Sequence, residues 1–368
     1  MLFRDSWVEV NLDALKQNIE VIQKINQKKM IAVIKANGYG CGDRDVALAA
    51  LEAGASMLAV SSLDEALSLR NQGINAEILV LSYVNPHAIS MVIKKNITLT
   101  AVSMDWVKAL IEQNCAGCKV HLKADTGMNR IGFKDPQQMK QAAELLMEKG
   151  VIIDGLFSHL ACAEDDGTVN RLQMKKFREF IDCLDMNLNW VHLRNSDGIM
   201  NFNEDDCCNA SRCGLAMMGI SGFNSELQPV MALKSRVICV KKIEAGEHVG
   251  YGWTYQSNTP EWIATIPIGY ADGWSRKNQG RSAWLNGEKC EFVGRICMDQ
   301  AMLRVPEGTK VNDVVELFGP CMPAEQVAKE LDTIPYEIMT SLTDRLARIY
   351  LKSGKTMKIA NPRFRFEE

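Results

Sequence analysis

Several things are scarce in this sequence, and each scarcity excludes something. Charge of one sign is scarce: 42 Lys and Arg stand against 45 Asp and Glu, a formal net charge of −3. That removes the basic excess expected of a wholesale nucleic-acid binder. Long apolar runs are missing, none approaching the roughly 18 residues that would cross a bilayer. The opening Met-Leu-Phe-Arg-Asp-Ser-Trp places Arg4 and Asp5 where a secretory signal needs its apolar stretch. The expected compartment is therefore the cytoplasm. A second CxxC is also absent. Cys115-Ala-Gly-Cys118 stands alone, so no metal site is expected. The other ten cysteines are scattered over 368 residues, which fits buried reduced thiols better than a disulfide framework.

What is present is ordinary globular composition, 47 % apolar and 24 % charged, on a chain long enough for about two domains. The first 220 residues or so alternate strand and helix signals. Short apolar, β-rich runs fall at 30–35, 57–61, 77–82, 97–102, 119–123, 152–158, 190–194 and near 212–220. Amphipathic stretches lie between most of them, at 44–54, 64–73, 86–95, 104–117, 136–150 and 172–184, and several end in Gly. The stretch between Asn195 and Arg212 is irregular. Eight β/α units predict an α/β fold of the TIM-type (β/α)8 barrel class, with a doubly wound open sheet as the alternative.

After about residue 230 the pattern becomes strand and turn. Strands are expected at 237–241, 262–268, 282–285, 291–296, 301–305 and 313–318, with one clear helix at 323–331. The expected division is a barrel over 1–228 and a mostly-β domain over 229–368. The opening stretch, up to about residue 10, is a candidate to pack with the β domain.

The strongest local signal is Ala32-Val-Ile-Lys35-Ala-Asn-Gly-Tyr-Gly-Cys-Gly42. A lysine closing a buried parallel strand would face the barrel mouth, where its partly desolvated amine is a nucleophile or base. A lysine that merely snorkels to solvent is the alternative. The glycines lack the GxGxxG spacing of a dinucleotide site.

This segment resembles the pyridoxal-phosphate (PLP) lysine motif of the alanine racemases. Matching segments follow in family order: Lys123-Ala-Asp-Thr-Gly-Met-Asn-Arg130, Phe157-Ser-His159, Asn195-Ser196, Arg212-Cys-Gly-Leu, Gly250-Tyr251-Gly, Ile268-Gly-Tyr270-Ala-Asp-Gly and Gly294-Arg-Ile-Cys-Met298-Asp299. They cover nearly the whole chain. The resemblance implies an L-alanine/D-alanine racemase that supplies D-alanine for peptidoglycan, with PLP as cofactor. Lys35 would carry PLP as an internal aldimine and serve as base for the D-enantiomer. Tyr251 would be the base for the L-enantiomer, with Tyr255 a rival four residues on.

Arg212 would lie against the pyridine nitrogen, fixed by a hydrogen bond to His159. Ser196, Gly214, Leu215, Tyr39 and Tyr336 would surround the phosphate, and Arg130 would contact the substrate carboxylate and the PLP phenolic oxygen. Met298, through its backbone N–H, and Asp299 would approach the substrate. Tyr270 falls in a supporting family segment. Lys123 is a carbamylation position in the family; a plain Lys123–Asp125 pair is the alternative. Without the family, Tyr251, His159 and Tyr336 would read as packing residues.

The family usually has His where this chain has Cys41, which puts a thiol near the cofactor and makes oxidation sensitivity an expectation. The resemblance also implies an obligate homodimer, the β domain of one subunit completing the site of the other. A serine/alanine racemase of broader specificity and a barrel-type PLP decarboxylase are the competing activities. Retention of Tyr336 favours alanine. The Gly294–Asp299 segment lacks the Cys-Glu-Ser-Gly-Asp-like sequence of the decarboxylases.

Overall fold

A computed structural model describes residues 2–165, 167–202 and 206–363. The outermost ends of the two expected domains and part of the irregular 195–212 stretch lie outside these residues. The chain divides into two compact units, one of 15–38 and 43–228, the other of 1–14, 39–42 and 229–368. Two short pieces thus cross the division expected at 228/229. The first does so because strand β1 (Ser6–Asn11) belongs to the β unit's sheet, the second because residues 39–42 leave the first barrel strand to join that unit.

The barrel unit holds eight parallel strands: β2 (Lys29–Val33), β3 (Met57–Val60), β4 (Ile78–Val80), β5 (Leu99–Ala101), β6 (Lys119–Lys123), β7 (Ile152–Phe157), β8 (Trp190–His192) and β9 (Ala210–Cys213). The hydrogen-bonded order runs β4-β3-β2-β9-β8-β7-β6-β5. Closure comes from Leu79 bridging Thr98, with Val80 N–H donating to Thr98 O at 2.9 Å. Strands such as Met57–Val60 are buried throughout because helices cover the outside and side chains fill the inside.

Several of the intervening helices begin on side-chain caps. Ser62 forms a capping box with Glu65, Ser103 caps 104–111 and Asp135 caps 136–148. Gly54, Gly73 and Gly150 follow helices with φ of 98°, 83° and 74°, the left-handed conformation that ends a helix. The eighth strand is shorter than expected: β9 stops at Cys213 and a 3₁₀ turn, Ala216–Met218, follows.

In the β unit, β1 lies between β10 (Met231–Arg236), antiparallel, and β19 (Ala347–Lys352), parallel. This seven-stranded sheet is completed by β15 (Ser282–Leu285), β16 (Glu288–Glu291), β18 (Val314–Phe318) and β20 (Lys355–Ala360). A second sheet joins β11 (Cys239–Ile243), β14 (Glu261–Ile266) and β17 (Ala301–Val305), and β12 (His248–Val249) pairs with β13 (Tyr255–Gln256).

Two expectations are corrected here. The strand expected at 291–296 ends at Glu291, because Gly294 turns at φ 67° and a Cβ there would fall 2.5 Å from Val249 O. The helix at 323–331 has a companion, Pro335–Thr340, opened by a proline at its first turn.

Candidate active site

The first barrel strand runs into a left-handed turn. Ala36, Asn37 and Gly38 take φ of 52°, 55° and 59°, and Tyr39 and Gly40 continue at 53° and 83°. Each non-glycine residue there costs about 1–2 kcal/mol. Local hydrogen bonds hold it. Gly38 N–H donates to Ile34 O at 2.9 Å, Glu65 Oε1 accepts Ala36 N–H at 2.7 Å, and Asn37 Oδ1 accepts Asp43 N–H at 3.0 Å. Strain of this kind collects at functional sites, and here it follows directly on Lys35. Burial lowers the pKa of the Lys35 amine; the Arg130 and Arg212 cations lower it further while Glu65 opposes them. A larger neutral fraction makes this amine a better nucleophile and base than a surface lysine.

Arg212, on β9, is buried and its partners are uncharged acceptors. Nη2 donates to Ser158 O at 2.7 Å, to Leu193 O at 2.9 Å and to His159 Nδ1 at 2.9 Å. Nη1 donates to His192 Nδ1 at 2.6 Å. The guanidinium lies 5.3 Å from the Phe157 ring centroid. Burial brings its pKa down to about 10, which still leaves it charged at neutral pH. Burial and the Arg212 charge hold His159 well below the ordinary histidine range, so it is a neutral acceptor.

Lys123 closes β6, in register with Phe157. Its Nζ donates to Ala124 O at 2.6 Å, and burial, then Arg212, brings its pKa down to about 7 against a weaker opposing pull from Asp125. The expected alternative, a Lys123–Asp125 ion pair, is not formed. Asp125 Oδ1 instead accepts the N–H groups of Gly127 and Asn129, at 3.1 and 2.9 Å. Arg130 follows in that loop and is exposed. Ser196 Oγ accepts Gly214 N–H at 3.1 Å and Ala216 N–H at 3.2 Å, so the hydroxyl and the backbone amides after β9 gather at one point. All these groups lie at the C-terminal ends of barrel strands, the catalytic end of such folds.

The remaining candidates belong to the β unit. Tyr39 and Tyr336 have ring centroids 6.0 Å apart. Tyr251 stands 71 % exposed on a turn between Gly250 and Gly252, at φ 75° and 68°. Tyr255, its rival, hydrogen-bonds both oxygens of Glu261 at 2.8 Å; burial and that carboxylate raise its pKa, and its hydroxyl is already engaged by this acceptor. Tyr270 N–H and Ala271 N–H donate to Cys297 O and Met298 O, each at 3.1 Å, so the two loops are locked together. Asp299 pairs with Arg345 Nη2 at 2.5 Å.

Cys41 corrects an expectation. It is fully buried and burial pushes its thiol up to about 12, so no thiolate is available for easy oxidation. Among the described residues no disulfide joins any of the cysteines. The sequence also gave no place to His121, His192, Asp154 or Arg348. The available signal was a polar residue inside an otherwise apolar parallel strand.

A barrel whose mouth carries a desolvated lysine, a buried arginine and an amide-lined anion cradle, with a β unit alongside in sequence, defines a class: barrel-type PLP enzymes. Comparison with known proteins narrows the class. The model of the alanine racemase N-terminal domain matches residues 10–222, and that of the C-terminal domain matches 230–350. The alanine racemase of Halalkalibacterium halodurans is 38 % identical over 382 residues, covering 98 % of each chain. That of Geobacillus stearothermophilus is 39 % identical over 375 residues, covering 97 % of this chain and 96 % of its own.

Among solved structures, the Bacillus anthracis alanine racemase with bound L-Ala-P superposes with a TM-score of 0.93 at 35 % identity, covering 98 % of both chains. A histidine racemase from Leuconostoc mesenteroides superposes at 0.87 with 29 % identity, over 96 % of this chain and 99 % of that one. The chain belongs to the alanine racemase family, which is PLP-dependent. Its own residues fit that cofactor: an amine of lowered pKa for the aldehyde, a fixed cation, and backbone amides with a hydroxyl for a phosphate.

Proposed function

We propose that this chain is a PLP-dependent racemase that interconverts L- and D-alanine, providing D-alanine for peptidoglycan. The observation that carries this is the Lys35 amine, with its pKa lowered, in the field of Arg130 and a buried Arg212 whose acceptors are all neutral. When bound, PLP supplies the electron sink that acidifies the α-C–H of an amino acid. The chain supplies everything else. Lys35 anchors the cofactor and accepts or returns the α-proton on one face. Tyr251 does so on the other. The bond of Tyr255 to Glu261 supports choosing Tyr251 over it.

Arg212, held by His159, presents an unyielding cation to the pyridine ring, since a guanidinium does not give up its proton. Arg130 orients the substrate carboxylate, with the Met298 backbone N–H and Asp299 beside it. Ser196, Gly214, Leu215, Tyr39 and Tyr336 hold the phosphate, and Tyr270 supports the Met298 loop. Lys123, carbamylated, would turn from a cation into an anion that aligns Arg130. We assign the second base to a neighbouring copy, so that each site of a homodimer joins Lys35 to the partner subunit's Tyr251. The compartment in this proposal is the cytoplasm. Among the described residues no helix is long and apolar enough to cross a membrane.

The test is chiral analysis of the PLP-loaded protein offered L-alanine, L-serine and L-histidine side by side. Alanine converted well ahead of the others bears out the proposal. Serine ahead would keep the two-base chemistry and replace the substrate, because a pocket rejects one added hydroxyl only weakly. Histidine ahead would place the chain with its Leuconostoc relative. Decarboxylation in place of racemisation would overturn the proposal.

A further inference from the structure

Two histidines inside the barrel take no part in the chemistry assigned above. His121, on β6, and His192, on β8, both have zero solvent exposure. His121 Nδ1 lies 3.0 Å from His192 Nε2, and His192 Nδ1 lies 2.6 Å from Arg212 Nη1. A guanidinium nitrogen can only donate. His192 Nδ1 therefore carries no proton, and a neutral His192 is protonated on Nε2. That N–H donates to His121 Nδ1, which is then also bare, so the His121 proton sits on Nε2. His121 Nε2 lies 3.7 Å from Asp154 Oδ2, and neither buried atom has a hydrogen-bond partner. The other Asp154 oxygen accepts Asn189 Nδ2 at 2.8 Å. Every proton points one way, from Arg212 through His192 and His121 to the Asp154 carboxylate.

The packing is built around this line. Gly155 has an ordinary φ, so the backbone does not demand glycine there. A Cβ at Gly155 would fall 2.8 Å from three atoms of the His121 ring. Phe157 stacks on His192 with centroids 4.8 Å apart and planes 8° apart, and meets His121 edge-on at 6.5 Å. The charged groups facing the pair agree with two neutral rings. Burial and the Arg212 charge lower both imidazoles, Lys123 adds to this at His192, and Asp154 and Glu77 oppose it at His121.

We propose that His192, His121 and Asp154 are positioning residues for Arg212, a relay that fixes the plane of its guanidinium. A carboxylate set directly on Arg212 would cancel much of its charge. Two imidazoles in series supply a strong, oriented acceptor and keep that carboxylate two rings away. The inference rests on the racemase proposal for its kinetic consequence only.

The test uses the PLP-loaded protein labelled with ¹⁵N-histidine. The chain has only five histidines, so the ring nitrogens can be assigned one by one. His121 and His192 should both appear as neutral Nε2–H tautomers from about pH 6 to about pH 9. Asp154→Asn removes the charge and turns one of the two acceptor oxygens into an NH2 donor, its remaining oxygen able to face His121 while Asn189 turns its own amide oxygen to the new NH2. It should move the ring resonances of His192, which it does not touch, as well as those of His121. It should lower kcat about tenfold with KM for alanine nearly unchanged, on the scale of other supporting-residue losses. His192→Asn keeps an acceptor for Arg212 but is too short to reach His121. Adding Asp154→Asn to it should cost nothing more.

A proton on Nδ1 of either ring, a doubly protonated ring at neutral pH, or unmoved His192 resonances in Asp154→Asn would overturn the relay. So would wild-type kcat in Asp154→Asn, or additive losses in the double variant. If no substrate is racemised, the resonances alone decide it, so the relay and the racemase proposal fail separately.

Discussion

Gly40 and Gly73 offer a matched pair of perturbations, because both take φ of +83°. Alanine at Gly73 meets nothing within 4 Å. It should cost about 1 kcal/mol, the left-handed penalty partly offset by a stiffer unfolded chain. Alanine at Gly40 carries the same penalty and two more. Its Cβ would lie 2.4 Å from Met339 O and 3.2 Å from Met231 Cε, so backbone must move by about 1 Å, at about 1–3 kcal/mol. Gly40 O also accepts a hydrogen bond from Arg348 Nε at 3.0 Å. Arg348 is a buried guanidinium whose other acceptors are the carbonyls of Leu342, Thr343 and Leu346. Loosening one charged hydrogen bond of that set costs about 1.5–3 kcal/mol. Gly40→Ala should therefore cost about 3.5–7 kcal/mol, which lowers Tm by roughly 7–28 °C for a unit of this size. Calorimetry of both variants reads the difference. Equal losses at the two sites would refute the assignment of the cost to the close approach and leave only backbone conformation.

The Lys123 amine, with its pKa of about 7, is about half neutral at pH 7, whereas an ordinary lysine is neutral about once in three thousand. Supplying ¹³C-bicarbonate should give a carbamate resonance that Lys123→Ala abolishes; its absence in the parent chain would rule the modification out. The same shift has a sign for stability: unmodified Lys123 binds fewer protons folded than unfolded, so its contribution should rise with pH from about 7 into the ordinary lysine range. A composite site makes a third prediction. Lys35→Ala and Tyr251→Phe chains, each inactive, should recover activity when their subunits are exchanged, and confirmed exchange without recovery would sink the homodimer proposal.

The β/α period was legible in the sequence because barrel strands such as 57–60 are apolar on both faces and several helices end in a turn residue such as Gly54 or Gly73. Lys35 was legible because a cation is conspicuous at the end of such a strand. β1 was not legible as a strand, since its partners β10 and β19 lie more than 200 residues away and nothing local records them. Gly294 was misread for a similar reason. Only its approach to Val249 O requires a glycine turn, and that contact joins distant segments. Cys41 carried a chemical expectation that burial cancels, and burial is not written in a run of Gly and Cys. His121, His192 and Asp154 sit on three different strands. Their tautomers follow from one donor, Arg212, and no stretch of sequence contains all four.

The arrangement of charge explains why so many neutral acceptors surround this site. Four cations, Lys35, Lys123, Arg130 and Arg212, gather here: Arg130 and Arg212 lower the pKa of both lysines, and Arg130 lowers that of Arg212. A fold selected for stability alone would place carboxylates among them. Here Arg212 is held by His159, His192 and backbone carbonyls, and Lys123 by the Ala124 carbonyl. Asp125 is turned to cap its own loop. Positive potential is thus left uncompensated where a phosphate and a substrate carboxylate would bind in the proposed function. Burial first, and then the same cations, lower the pKa of both lysine amines and so favour their reactive neutral form. The repulsion that costs the unliganded fold stability thus serves the proposed chemistry as an anion trap, and it adds to burial in lowering two lysine pKa values.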